Sequence, residues 1–181
     1  YIRNTRKTWN DQTLITNQKC AYLGIASEIG ELTDIYRKVL NEEEKIDTTK
    51  VFEEIGDISY FLARVLDELF YVHEEPFSRN DSKTVFDDML LDIENILGVR
   101  DLEPLKEFDV SDLVLALPCY YRDIYVGSST KNAKDFAVGV LSLMSTLSEI
   151  SGILGVDYKK ILTANIIKES KKLKDGKKSR K

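Results

Sequence analysis

Glu28 and Glu31 stand three residues apart, and so do Glu54 and Asp57. Each pair lies inside an apolar pattern of helical period, and positions i and i+3 of a helix share a face. Each helix therefore projects two acids from one side. If the two helices pack antiparallel, four carboxylates converge. Carboxylates withdrawn from water repel one another and are costly to desolvate unless a positive charge lies among them. A divalent cation supplies that charge, and an all-oxygen donor set favours Mg²⁺ or Mn²⁺. Such a cluster is suited to holding a polyphosphate. The cation neutralises phosphate oxygens and acidifies a bound water, and a neighbouring acid orients that water as a base. Glu53, beside Glu54, is a candidate for that last role.

Two lysines could offset the remaining phosphate charge. Lys38 lies seven residues beyond Glu31, nearly two turns, and so shares the acidic face; it could equally pair with Asp34 four residues before it. Lys168 follows Asn165 by three residues on the last predicted helix. Trp9, the only tryptophan, reads either as an aromatic cover over the core or as a stacking surface for a base. Each acid pair also encloses a glycine, Gly30 and Gly56. A glycine inside a helix costs about 1 kcal/mol relative to alanine. Its recurrence at the same place predicts that backbones come close there.

The elements that must carry these residues are helices. Apolar residues recur at intervals of three and four almost throughout, and no alternating pattern of strand type stands out. The spacing predicts helices over residues 12 to 38 or 40, with a break near Gly24, and over 50–71, with Thr48 or Thr49 as cap. Further helices are expected over 85–97, 111–126, 133–154 and 158–173, the last opened by Asp157. Residues 72–82 and 98–110 read as connections, and the segment Gly127-Ser-Ser-Thr130 as the separator of the fourth and fifth helices. Arg64 reads as a surface or interface residue.

The helix–loop–helix pattern of residues 23–69 recurs faintly over 113–153 without its acids. That recurrence would follow from an internally duplicated helical hairpin, though helical hairpins also resemble one another by default. The expected organisation is one all-α domain over residues 1–170, with a lysine-rich, disordered tail over 171–181.

The composition excludes several classes. With 181 residues, 43% hydrophobic and 31% charged, the chain suits a single soluble domain. No run approaches the roughly 20 apolar residues of a membrane span. The net charge of −5 argues against general nucleic-acid binding, the basic tail notwithstanding. Cys20 and Cys119 form no ligand cluster, and a reduced, cytoplasmic setting is expected. The single histidine, His73, excludes a di-iron bundle built on two Glu-x-x-His motifs.

The run Leu23-Gly-Ile-Ala-Ser-Glu-Ile-Gly-Glu-Leu32, followed by Glu53-Glu-Ile-Gly-Asp57, resembles the MazG-like all-α nucleoside triphosphate pyrophosphohydrolases. Their mark is Glu-x-x-Glu and then, after a short gap, Glu-x-x-Asp. Asn165-Ile-Ile-Lys168, with Leu154-Gly-Val-Asp157 before it, is similar to the later Asn-x-x-Lys of that family. The resemblance implies an all-α bundle that hydrolyses a nucleoside triphosphate between its α and β phosphates, giving a nucleoside monophosphate and pyrophosphate. It implies Mg²⁺ held by Glu28, Glu31, Glu54 and Asp57, phosphate contacts from Lys38, Asn165 and Lys168, and assembly as a homodimer or tetramer. About 95 residues separate the acidic helix–loop–helix, ending at Leu69, from Asn165, a spacing that resembles the duplicated architecture of the related dimeric dUTPases. A nucleotide-binding or scaffold protein on the same bundle, catalytically weak, is the alternative.

Overall fold

Buried side chains mark out the helices at the expected intervals. Ala21, Ile25, Ile29, Leu32 and Tyr36 line one face of the first helix, and Val51, Ile55, Ile58, Leu62, Val65 and Leu69 line the second. Burying each such large aliphatic side chain contributes about 1.5–3 kcal/mol, which is what holds long helices in place against their entropy. The computed structural model describes residues 14–42, 45–71, 88–89, 91–93, 95 and 109–178. Its main elements are α1 (Leu14–Glu42), α2 (Thr48–Tyr71), α3 (Val110–Thr130), α4 (Ala133–Ile153) and α5 (Tyr158–Lys178). The fold is all-α, and no strand occurs among the described residues.

The five helices form two hairpins, α1–α2 and α3–α4, and α5 packs chiefly on α2. α1 also meets α3, so the hairpins join along that seam, where the Tyr22 ring stands edge-on to Tyr125 with centroids 5.4 Å apart. α2 is the central helix: Tyr60, Ala63 and Arg64 are buried as well as its main stripe. Between the hairpins, helical residues Met89 and Ile93 are buried in the same core, within the segment expected to be helical.

Several boundaries differ from the expected ones, each for a local reason. α1 runs unbroken through Gly24, because that glycine makes room for the Phe61 ring; a Cβ there would stand 2.5 Å from the ring carbons. The cap of α2 is Asp47 rather than a threonine, its Oδ1 accepting from the backbone N–H of Thr49 at 3.1 Å and of Lys50 at 3.4 Å. Gly127-Ser-Ser-Thr130 is the last turn of α3 and not a separator. Lys131, in the left-handed region at φ 56°, and Asn132 make the turn, and Asn132 caps α4 through Asp135 N–H. Gly127 is needed inside the helix because the α4 backbone passes close by: a Cβ would sit 2.4 Å from the Phe136 nitrogen. Asp157 does open α5, accepting from Lys159 N–H at 2.9 Å.

Two larger corrections follow. The basic tail is not disordered from residue 171, since α5 continues to Lys178, with Lys171, Lys172 and Lys174 exposed on it. Arg64 is not a surface residue. It lies inside the bundle on α2, 3.1 Å from Asp67, with both side chains under 5% exposed. A one-turn ion pair supplies the counter-charge that lets the guanidinium leave water. Trp9 and the segments expected as connections over 72–82 and 98–108 lie outside the described residues.

Candidate functional site

The α1–α2 hairpin sets Glu28 against Glu54 and Asp57. One oxygen from each of these three carboxylates lies within 4.8 Å of the others, and all three residues are half-buried. The apolar stripes bring them together: Ile29 follows Glu28, Ile55 follows Glu54 and Ile58 follows Asp57, and each isoleucine is buried between the helices. Packing of the core thus forces the acids to the rim of the same seam. Glu31 is exposed and stands outside this three-residue group, although its charge acts on both Glu28 and Glu54. Three of the four expected ligands therefore converge, and the fourth flanks them.

The cluster is electrostatically loaded. Burial, then the hydrogen bond to Glu28, then the charges of Glu28, Glu31 and Asp57 push the Glu54 carboxyl up to about 8. Burial also raises Glu28, with smaller contributions from Asp57 and Glu31, while its hydrogen bond to Glu54 and the charge of Lys168 pull the other way. Carboxylates held this close favour retaining a proton over full ionisation.

α5 supplies the opposite side. Asn165 Nδ2 donates to Asp57 Oδ1 at 2.5 Å, and Lys168 Nζ donates to Asp57 Oδ2 at 2.6 Å. Both carboxylate oxygens of Asp57 are thereby engaged from a helix more than 100 residues away. Gly56 permits this approach: a Cβ there would meet Asn165 Nδ2 at 3.0 Å and its Cβ at 3.1 Å. Gly30 behaves differently, having nothing within 4 Å of where a Cβ would stand. The expected close approach holds at Gly56 and fails at Gly30, and the neighbour at Gly56 is a side chain rather than a backbone.

Other candidates are placed elsewhere. Lys38 pairs with Asp34 at 2.9 Å, beside an Arg37–Asp34 contact of 2.7 Å. Ten residues separate it from Glu28, about 15 Å along the axis, which favours the ion-pair reading. Glu53 is exposed next to the cluster and borders a cavity of about 520 Å³ between α2 and α5. Two residues were not singled out in the sequence. Lys172, bonded to Glu169 at 2.6 Å, also feels the charges of Asp57 and Glu28. Its spacing of four from Lys168 was the available signal, hidden by assigning residue 171 onward to a tail. Phe52 lines the cavity one turn before Gly56 and carries no motif that would mark it.

The donor set suits a hard divalent cation. It is all carboxylate, with the Lys168 ammonium, paired with Asp57, already at its edge. Carboxylate oxygens bound at about 2.0–2.1 Å to one Mg²⁺ stand about 3–4 Å from each other, so modest side-chain rotations would bring these three onto one ion. The chain matches no protein-family model, no curated protein and no solved structure.

Proposed function

We propose that this chain is a Mg²⁺-dependent nucleoside triphosphate pyrophosphohydrolase, cleaving between the α and β phosphates to give a nucleoside monophosphate and pyrophosphate. The observation that carries the reading is the meeting of Asn165 and Lys168 with Asp57, beside Glu28 and Glu54. These are the two sequence motifs of the resemblance, far apart in the chain and joined on one carboxylate.

Glu28, Glu54 and Asp57 would hold Mg²⁺, with Mn²⁺ as a substitute, and Glu31, whose charge acts on Glu28 and Glu54, would flank them. Bound there, the cation neutralises phosphate oxygens and lowers the pKa of a water. Lys168 and Lys172 present ammonium groups at the cluster's edge, where a polyphosphate's charge would lie. Asn165 fixes the orientation of Asp57, so that the ligand oxygens do not have to be ordered on binding. Glu53, exposed beside Glu54, would take the proton of an attacking water. Hydrolysis consumes that water: its oxygen joins the attacked phosphorus, the bridging oxygen leaves with the other fragment, and Glu53 receives the proton.

The test is pyrophosphate release from a panel of ribo- and deoxyribonucleoside triphosphates with Mg²⁺. Equal yields of monophosphate and pyrophosphate are expected, with Asp57→Asn at least 100-fold slower. Wild-type turnover by Asp57→Asn would remove the proposed role of the cluster. Tight nucleotide binding without product over hours would favour the scaffold reading.

A further inference from the structure

The cavity beside the acid cluster is built from two unlike parts. Its long walls are largely carbon, from Phe52 in the first turns of α2, Val156 in the α4–α5 connection, and Ile161 and Ala164 on α5, with the exposed Thr49, Glu53 and Lys160 also lining it. Its inner end is Asn165 and Lys168, the two residues bonded to Asp57. Ile161 and Lys168 are seven residues apart, so the apolar section extends about 10 Å along α5 away from the acids. A volume near 520 Å³ is that of a pocket for a small organic molecule, larger than any single ion or phosphate requires.

The distribution of polarity decides what enters. A phosphate gains nothing from the hydrocarbon walls and is costly to desolvate there; of the two ammonium groups that line the cavity, Lys168 is the one bonded to Asp57, so the charged part of a ligand that reaches the acids stays at that end. The part that follows must be uncharged and flat enough to lie against Phe52. Between the two sits Asn165, which is 4% exposed. Its Nδ2 is committed to Asp57, and its buried Oδ1 has no hydrogen-bond partner among the described residues. A buried acceptor left unmade costs free energy. Sealed from solvent as it stands, it would take a hydroxyl at the junction of the charged and apolar parts after a small shift of the side chain.

We propose that this cavity seats the nucleoside half of the substrate. The heterocycle lies between Phe52 and Ala164, a sugar hydroxyl donates to Asn165 Oδ1, and the phosphates emerge at Lys168 toward Glu28, Glu54 and Asp57. The proposal rests on the nucleotide reading above and adds which face of the bundle recognises the base. Discrimination between bases then comes from Phe52, Ala164 and the neighbouring Thr49.

Methyl-labelled full-length protein tests this by NMR, titrated with Mg²⁺ and a non-hydrolysable α,β-methylene nucleoside triphosphate, and separately with inorganic tripolyphosphate. The methyls of Val156, Ile161 and Ala164 should shift with the nucleotide and stay in place with tripolyphosphate. Ala164 is exposed on α5, so Ala164→Trp fills the cavity without disturbing the core. It should raise KM for the nucleotide at least tenfold while kcat stays within threefold, and Ala164→Leu should do the same more weakly if the tryptophan variant folds poorly. Turnover with unmoved cavity methyls, equal shifts with tripolyphosphate, or a wild-type KM in both variants would overturn the assignment and leave the pyrophosphohydrolase reading standing. Failure to bind the analogue and to release pyrophosphate from any nucleotide would overturn both.

Discussion

Replacing Glu54 by glutamine should make the cation-free protein more stable, the reverse of what mutating a half-buried, packed residue usually does. The folded carboxyl titrates at about 8 against an ordinary 4.5, driven by burial, its bond to Glu28 and three neighbouring negative charges. Between those values the folded chain holds a proton that the unfolded chain has lost. Stability therefore falls as pH rises through that window and is unaffected by this group below about pH 4.5. Without screening, the difference amounts to roughly 5 kcal/mol at pH 8 and above. The group is partly solvated, which reduces the expected effect to about 1–2 kcal/mol. In a chain of this size that is about 3–6 °C in Tm. Thermal melts in EDTA from pH 5 to 8.5 are the assay. Wild-type Tm should decline across that range, Glu54→Gln should decline less and melt higher at pH 8, and Mg²⁺ should raise the wild type more than the variant. A lower Tm for Glu54→Gln in EDTA, with a wild-type profile that is flat in pH, would refute the repulsion on which the site rests.

The two motif glycines should part company under the same substitution. Gly30→Ala meets open space and should stabilise the chain by up to about 1 kcal/mol in chemical denaturation with turnover unchanged, whereas Gly56→Ala crowds Asn165 and should cut kcat/KM about tenfold or more. Asn165→Ala leaves Asp57 with one donor fewer and should cost about 1–2 kcal/mol in stability and lower kcat/KM by a similar tenfold factor in the pyrophosphate assay. Lys172→Met, which keeps the stem and removes the charge, should raise KM for the triphosphate about threefold with little change in kcat. Gly127→Ala forces the α3 and α4 backbones apart and should destabilise by more than about 2 kcal/mol, read as a lower denaturation midpoint with the active site intact.

Most of the fold was legible because helical periodicity records burial directly. Ile25, Ile29 and Leu32 on one helix, and Ile55, Ile58 and Leu62 on the next, are spaced as they are because they face one another. Helix ends were less legible, since a cap depends on which side chain turns back. Asp47 does so and Thr48 does not. Gly24 and Gly127 read as breakers in sequence, yet each marks a contact from a partner, Phe61 or Phe136, that only the tertiary structure identifies. The acid pairs gave away Glu28, Glu54 and Asp57, because spacing fixes a helix face. Spacing does not fix the reach of a side chain: Glu31 shares the acid motif yet only flanks the cluster, and of the two readings open for Lys38 the structure shows the pair with Asp34. Arg64 carries a charge that in sequence suggests solvent, whereas Asp67 one turn away compensates it inside the bundle. The cavity had no signature at all: Phe52, Val156 and Ala164 come from three segments and are ordinary residues in each.

The central claim is that Glu28, Glu54 and Asp57 share a divalent cation that grips a triphosphate. Electron paramagnetic resonance of Mn²⁺, titrated into the protein with a non-hydrolysable nucleoside triphosphate analogue present, measures this most directly. The account predicts loss of the free aquo-ion signal to a defined number of protein sites, and the protein-dependent part of that loss should vanish in Glu28→Gln and in Asp57→Asn. A free-ion signal no lower than that of the analogue alone, at millimolar protein, would contradict it.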